Sequence, residues 1–497
     1  MLWRVLVGIR RNTIVIGLTS FLALLLTQTV LSIGDYGFSK IYWKLDGVLL
    51  GLVPGVQGMP HVTTDGAGGL IAVWADCRPS STGCDIYAQR IGMNGNVLWQ
   101  VDGVPVNTVS GDQLGPRIIS DGIGGALVAW SDFRNSTNYS VYAQRLDSMG
   151  RRLWATDGIT ITAETHNQTV LEAVPDASGG AFVVWEEGYP DTDINLFAQR
   201  IDNQGRLLWS APVTITAAPN QQYYGDSAPD GAGGFLVTWG DLRDVTDPSI
   251  YAQRISASGA VVWMPDGVLV SPSPALQRPG HIAPDGTGGA YIAWYDFRSN
   301  AHCADAYMQR LTSIGTRAWE FDLPVVANHD YAEGPTDLVS DGSGGAILIA
   351  NRYTNGAVET DILAQRINST GELLWGPEPV NVTPWEAQQD FAVAVPDGEG
   401  GAYIAWIDKY TDKAAYDVWT QHVGADGARL WPGHGVQAVG AVGPQWELAI
   451  ASDGHNSFIV AWQDYRNGRD DPALYAQRIG DATVTRYFLP LVQKTAR

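Results

Sequence analysis

Cysteine is nearly absent from this chain, with three in 497 residues, which excludes a small scaffold held together by many disulfides. Positive charge is also scarce: 31 Lys and Arg face 52 Asp and Glu, for a formal charge of -21. A surface of that sign repels phosphate backbones and anionic lipid headgroups, so nucleic acid is not an expected partner. Helix caps and 3.6-residue periodicity are missing, which argues against a helical fold. Long apolar runs are absent with one exception. Residues 12 to 34 carry no charge, their middle reads TIVIGLTSFLALLLTQTVL, and Arg4, Arg10 and Arg11 precede them.

A basic head followed by an apolar run is an export signal. This one is about long enough to cross a bilayer, which takes roughly 20 residues, and the arginines would hold its start inside. Residues 1–34 are therefore expected to be either a cleaved signal peptide or a retained membrane anchor, with all that follows Asp35 outside. Membrane contact is expected only through this segment. Three cysteines suit an exported chain that uses disulfides sparingly. Cys77 and Cys84 flank one variable loop and can close it if the hairpin brings their Cα atoms within about 7 Å. Cys303 is left over, with no His and Asp arrangement pointing to it.

What the chain has in abundance is Gly (57), Trp (19) and Tyr (20), and these fall on a repeat. Anchor aspartates Asp65, Asp121, Asp176, Asp230, Asp285, Asp341, Asp397 and Asp453 follow one another at intervals of 54 to 56 residues. The clearest copy reads DGIGGALVAWSDFR, then, after a variable stretch, VYAQRLDSMGRRLWATDGITI. Within it LGPRIISD, GGALVAWSDFR, SVYAQRLDS and RRLWATDGITI read as four strands, the first and second pairs joined by short Gly-bearing turns. Four-stranded antiparallel units repeated radially predict an all-β, eight-bladed β-propeller over residues 35–480. The fourth-strand tryptophans begin at Trp43, ahead of the first anchor, and the last copy stops after LYAQRIG (474 to 480). The N-terminal WKLDGVLL is thus expected to complete the last blade and close the ring. A solenoid has no need of that complementarity. Residues 481–497 are left as a tail.

The DGxGG, VAWxDxR and IYAQR blades resemble a family of exported bacterial β-propeller repeat proteins, over residues 43 to 480. The resemblance implies the fold and an extracellular or envelope location, and no established activity. The segment RYFLPLV (486 to 492) is also similar to a short tail found on some exported bacterial proteins.

Comparing the copies separates scaffold from site: what every blade carries serves what every blade must do. The second-strand tryptophans (Trp74, Trp130, Trp185, Trp239, Trp294, Trp406, Trp462) are expected to fill the space between sheets. The Asp of SDFR and the Arg of YAQR, as in Asp76 with Arg90, Asp132 with Arg145 or Asp464 with Arg478, are expected to pair across adjacent strands. The DGxGG turn offers one aspartate where calcium needs five or more oxygens, and a strand where a phosphate loop needs a helix. No cofactor is expected. No metal site is expected either; a metal would prefer His61, Asp337 and His281, across a ring that is too wide.

Function is sought in what the repeat leaves variable. The loops between second and third strands (76 to 85, 186 to 195, 296 to 305, 408 to 417) share one end with the entries to the first strands. Eight residues before each anchor stands a glutamine, Gln57, Gln113, Gln168, Gln222, Gln277, Gln389 and Gln445, with Glu333 in the sixth copy. Four residues before each anchor the chain reads His61, Arg117, Glu172, Asp226, His281, Asp337, Val393 and Ala449. Two readings of this row stand side by side: a one-sided polar patch that binds a ligand, or ion pairs between neighbours, such as Arg117 with Glu172. Glu172 and Asp226 are the weak catalytic candidates, as a carboxylate pair for glycoside chemistry. Copies three (Glu186, Glu187, Gly188), six (Ala350, Asn351) and seven (Trp419, His422) break the pattern. Trp385 is expected to be exposed and to stack on a sugar, with Trp446 second. The expected function is a monomeric ligand-binding or interaction scaffold at the cell surface, its partner a protein or a glycan. A polysaccharide-cleaving enzyme and a purely structural envelope protein are the alternatives.

Overall fold

A computed structural model describes residues 39–482, except 80–82, 163–165, 189–192, 245–246, 301–302, 328–330, 355–358, 386, 410–415 and 469–470. The leader over 1–34 and the RYFLPLV tail lie outside the described residues, as does part of each variable loop named above. Among the described residues all regular structure is strand, and no helix is long and apolar enough to cross a membrane.

The second copy shows how one repeat folds. Its strands run Gln113–Ser120, Ala126–Asp132, Ser140–Leu146 and Ile159–Thr160, paired antiparallel in sequence order. The first three match the apolar segments read from the sequence. The fourth is much shorter than expected, a two-residue strand preceded by the isolated bridge of Leu146 to Arg152. Trp154 therefore sits ahead of the fourth strand, not in it. Gln144 of the AQR segment explains how so short a strand is held. Its amide donates to the Ala155 carbonyl at 2.6 Å and its oxygen accepts from the Trp154 amide at 3.0 Å, replacing the ladder bonds that the chain forgoes.

Every copy repeats this plan. Five sheets have four strands each, and an eight-stranded sheet consists of two such units, paired among the described residues only at Thr360 and Gln388. In the remaining sheet, Ser39–Ile41 and Val48–Gly51 both pair antiparallel with Ala473–Asp481, so the start of the chain supplies strands to its last unit. The first strand of each unit lies against that of the next, and Gln445–Ser452 of the eighth lies against Val56–Thr64 of the first.

Two apolar devices bind the units. The second-strand tryptophans are fully buried, from Trp74 to Trp462. Each cluster of buried side chains draws on two neighbouring units, as when Phe235 and Trp239 meet Val174, Phe182, Val184 and Trp209. Burial of each such aromatic side chain stabilises by roughly 2 to 3 kcal/mol. Shape matters as much as area: Gly158, at φ 84°, lies against the Trp130 ring with no room for a Cβ.

Polar stitches run beside the apolar ones, and here one expectation is corrected. Arg145 pairs with the anchor Asp121 at 2.9 Å, not with Asp132; Arg90 likewise pairs with Asp65, and Arg254 with Asp230. Register gives the reason. Asp132 faces Ser140 while Arg145 faces Leu127, which places them five residues apart along the strands, roughly 17 Å at about 3.3 Å per residue. Asp132 instead takes Arg134 at 2.6 Å and the Trp130 indole N–H at 2.8 Å, and the Arg134 guanidinium lies 3.8 Å above the Tyr142 ring. The other oxygen of Asp121 caps its turn, accepting from Ile123 and Gly125 amides at 3.0 and 2.8 Å.

The same arginines reach the next unit. Arg90 and Trp99 both donate to the Ser148 carbonyl, at 3.1 and 3.0 Å. Arg478 and Trp43 do the same to Met93, at 3.3 and 2.9 Å. In the seventh unit His422 stands in for the arginine. Its Nε2 lies 2.9 Å from Asp397 and its Nδ1 3.1 Å from Asp481. Only an imidazolium can donate from both nitrogens. Burial opposes that charge, but hydrogen bonds to the two carboxylates outweigh it and hold the His422 pKa above its ordinary value.

Candidate functional site

The loop end of the units is built differently from the turn end. Cys77 and Cys84 are joined in a disulfide that closes one variable loop, their Cα atoms 4.1 Å apart. The buried glutamines sit opposite the Asp of the second strand: Gln113 faces Asp132, and Gln277 donates to Asp296 at 3.0 Å. In the sixth unit both partners change together. Glu333 replaces the glutamine, Arg352 replaces the aspartate, and the two pair at 2.6 Å. In the third, Glu187 takes the aspartate's place and accepts from Gln168 at 2.9 Å.

Just past each glutamine or Glu333 the first strand gains one extra residue. The register slips ahead of His61, Arg117, Glu172, Asp226, His281, Asp337, Val393 and Ala449 alike. Such a bulge re-aims the side chains around it. At the same place in units one, two, seven and eight the backbone is left-handed, at Met59, Gly115, Phe391 and Glu447, with φ of 56°, 59°, 57° and 52°. Three of these four are not glycine, and each such residue carries a backbone cost of order 1 kcal/mol or more.

The polar row is largely occupied with joining units. Arg117 donates from Nε to the Leu171 carbonyl at 2.7 Å and lies 3.8 Å from Glu172. Asp226 accepts the Ser227 amide at 2.7 Å and, from the next unit, the Ile282 amide at 3.2 Å, with His281 at 3.6 Å. Asp337 accepts Leu338 and, from the next unit, Ala394, both at 2.8 Å. Glu172 accepts Ala173 at 2.9 Å; burial pushes its carboxyl up to about 7, with Arg117 offsetting part of the rise. Burial pushes His61 down to about 3, and Arg117 adds to that. The carboxylates proposed as a catalytic pair are thus held by main-chain amides. Among the described residues no three His, Cys, Asp or Glu side chains gather as a metal site.

Of the eight residues proposed for binding, His281 and Trp446 line a cavity at the loop end, together with Asn351 of the irregular sixth copy and Val393 of the row. This cavity encloses about 540 Å³ across units five to eight, a size within the range of roughly 300 to 1,000 Å³ of small-molecule sites. Tyr295, Tyr353 and Phe391 supply further aromatic surface, and Thr336, Asn351, Asp390 and Glu447 supply polar groups. Phe391 is 59% exposed and meets Trp446 edge to face at 6.1 Å. A second cavity of about 570 Å³ adjoins it through Tyr295, walled also by Tyr223, Arg278 and Phe297. His61, Arg117, Glu172, Asp226, Asp337 and Trp385 line neither. Trp385 is half-buried and not exposed as expected, because its ring stacks on His434 at 4.2 Å and its N–H reaches Asp408 at 3.3 Å.

Asp390 sits at the centre of the polar wall. Its Oδ1 accepts from Asn351 at 3.3 Å and its Oδ2 from Gln388 at 3.3 Å. Burial raises its pKa, against the hydrogen bonds from Gln388 and Tyr353. Asn351 stands out in the sequence as a break in the sixth copy, whereas Tyr295, Asp390 and Phe391 do not, yet a signal for the position of Tyr295 is there. The residue between Trp and Asp in the second strand reads Ala75, Ser131, Glu186, Gly240, Tyr295, Ile407 and Gln463, with Asn351 in the sixth unit. This position touches the next unit's bulge: Ser131 accepts from Val170, Asn351 donates to Asp390, and any side chain at Gly334 would overlap the Tyr295 ring.

No family model matches the chain, and no curated protein matches it by sequence. Among solved structures it is similar to a protein of unknown function from Dyadobacter fermentans (9% identity, 89% of this chain and 99% of that one, TM-score 0.40). It is also similar to a polysaccharide lyase described as an ulvan lyase (10% identity, 77% and 97%, TM-score 0.45). A third is the α-L-arabinanase of Penicillium chrysogenum (12% identity, 74% and 93%, TM-score 0.39). Likeness of this degree transfers no activity.

Proposed function

We propose that this protein is an exported, monomeric, eight-bladed β-propeller that binds a saccharide chain in the groove at its loop end. The ring reading is supported by the cyclic succession of first-strand contacts and by the grip of Arg478 and Trp43 on Met93, which repeats that of Arg90 and Trp99 on Ser148. Export is supported by the basic and apolar start of the sequence and by the Cys77 to Cys84 bridge, a bond that persists in oxidising compartments.

One observation carries the saccharide reading: two adjoining cavities share Tyr295 and are walled by Tyr223, Phe297, Tyr353, Phe391 and Trp446. Aromatic faces spaced along a groove, with hydrogen-bonding groups between them, suit the alternating apolar faces and hydroxyls of linked sugars. These residues stand at positions that the repeat leaves free. A glycan array followed by calorimetry tests the reading. Trp446→Ala and Tyr295→Ala should each weaken binding by about tenfold, as loss of a ring contact worth about 1.5 kcal/mol requires, while Trp385→Ala leaves it unchanged. Binding that survives Trp446→Ala and Tyr295→Ala intact rules the groove out.

A second reading is cleavage of the bound polysaccharide. It is favoured by Asp390, whose carboxyl burial holds above the usual range, as a general acid requires. Release of new reducing ends or unsaturated products, lost in Asp390→Asn, would establish it.

A further inference from the structure

The groove carries a negative charge that a neutral saccharide does not offset, from Asp390 and Glu447. The cavity that Asn351 lines carries both carboxylates in its wall. Asn351 is 3% exposed, and its amide nitrogen donates to Asp390 and to the Tyr353 hydroxyl at 3.3 and 3.2 Å. A carboxylate neighbour can only accept, which orients the amide and leaves its Oδ1 without a hydrogen-bond partner among the described residues. A buried amide oxygen left unpaired costs about 1 to 3 kcal/mol, so it marks a place where a donor belongs. Glu447 adds a second carboxylate, exposed, with one oxygen on the Met59 amide at 2.6 Å.

Among the described residues the cations near this wall have other partners, Lys409 lying 5.5 Å above the Tyr416 ring. Arg352 is taken by Glu333 at 2.6 Å, and His281 faces Asp226 at 3.6 Å, with Asp337 also close enough to bear on its charge. Arg278 belongs to the adjoining cavity, its guanidinium 5.6 Å above Phe297. Carboxylates and the rings of Tyr353, Phe391 and Trp446 in one cavity wall form a setting in which a cation gains from both. Because Asn351 Oδ1 calls for a hydrogen-bond donor and the carboxylates for positive charge, a primary ammonium meets both needs where a quaternary one, with no N–H, does not.

We infer that the cavity among Asn351, Asp390, Glu447, Tyr353, Phe391 and Trp446 is a subsite for a primary ammonium group, carried by an unacetylated amino sugar of the bound chain. This rests on the saccharide reading and goes beyond it. Calorimetry on the full chain with a β-1,4-linked glucosamine tetramer and its fully N-acetylated counterpart separates the two, since the pair share a backbone and differ in charge. The glucosamine tetramer should bind at least about tenfold more tightly, as a charged hydrogen bond implies. The preference should shrink in Asp390→Asn and, should that variant fail to fold, in the exposed Glu447→Gln. Equal affinity for the two tetramers, or a preference untouched by both variants, overturns the ammonium subsite and leaves the saccharide groove standing. Spermidine binding as tightly as the tetramer would keep the ammonium subsite and remove the sugar. If neither the tetramers nor spermidine binds, the subsite is wrong; if no saccharide of any kind binds, both readings fall.

Discussion

The two ends of each repeat obey different rules. At the turn end, the anchor aspartate, the YAQR arginine and the tryptophan before the fourth strand make nearly the same bonds in unit after unit, as in Arg90 with Asp65 and Arg366 with Asp341 at 2.9 and 2.8 Å. At the loop end, equivalent positions carry Ala, Ser, Glu, Gly, Tyr, Asn, Ile and Gln, and four of the eight bulges adopt a left-handed turn. Repetition at one end holds units together. Freedom from repetition at the other, on a frame made rigid elsewhere, leaves room for a cavity. The lesson concerns strain as well as sequence: Phe391 and Glu447 keep an unfavourable φ at the cavity wall, whereas the turn end mostly places glycine where φ is positive, as at Gly122 and Gly124, with Ala177 and Asn456 the exceptions.

Breaking the regular side should have the largest effect. Trp130→Ala removes a fully buried indole together with its bond to Asp132 and is expected to cost about 3 to 5 kcal/mol in chemical denaturation. A loss under 1 kcal/mol would show that the inter-unit core does not bear the stability assigned to it. Arg145→Met, which strips Asp121 of its ion pair and leaves the Asn203 carbonyl with only the Trp154 N–H as a side-chain donor among the described residues, should cost roughly 2 kcal/mol, whereas Asp132→Asn leaves that stitch intact. The reverse ranking would restore the pairing first expected for Asp132 and Arg145.

The one irregular stitch sharpens the contrast through pH. His422 has a pKa raised above its ordinary value of 6.5, so its contribution is complete below that value and is lost as pH rises through the raised one. Asp397 and Asp481, whose carboxyls burial would raise but His422 holds below 3.8, contribute above that value and lose their share as pH falls through the lowered ones. Thermal melts should therefore show stability falling on the alkaline side, and His422→Arg, which restores the charge of the other units, should flatten that fall. An identical alkaline slope in the variant counts against the imidazolium. Smallest of all is Phe391→Gly. Relief of the left-handed φ should stabilise by about 0.5 to 1 kcal/mol while weakening saccharide binding, so a variant both less stable and fully competent to bind would detach the strain from the site.

Much of the architecture was legible because repetition acts as an internal alignment. First, second and third strands fall where the apolar segments predicted them, and the N-terminal strands pair with the last unit. The fourth strand was over-read, because a Gln144 side chain does work that a ladder was expected to do. The site was less legible. Charge four residues before the anchor marks His61 through Asp337 in the sequence, yet Arg117, Asp226 and Asp337 direct that charge to the next unit's main chain. Trp446 was found for its ring; Asp390 and Phe391, on the same bulge of the seventh unit, were passed over because two unlike residues in a loop-end segment carry no periodic signal.

Local chemistry written into the repeat was enough to specify strands, turns, buried tryptophans and a spare strand at one terminus, because each depends on residues close in sequence or on a pattern that recurs. Which charges meet was settled by register: one pairing frame sets Arg145 beside Asp121 and not Asp132. Which side chains share a cavity was settled by packing between units, since Tyr295, Asn351, Asp390 and Trp446 come from four different repeats. No spacing along the chain encodes that meeting; it exists only once neighbouring sheets lie against one another.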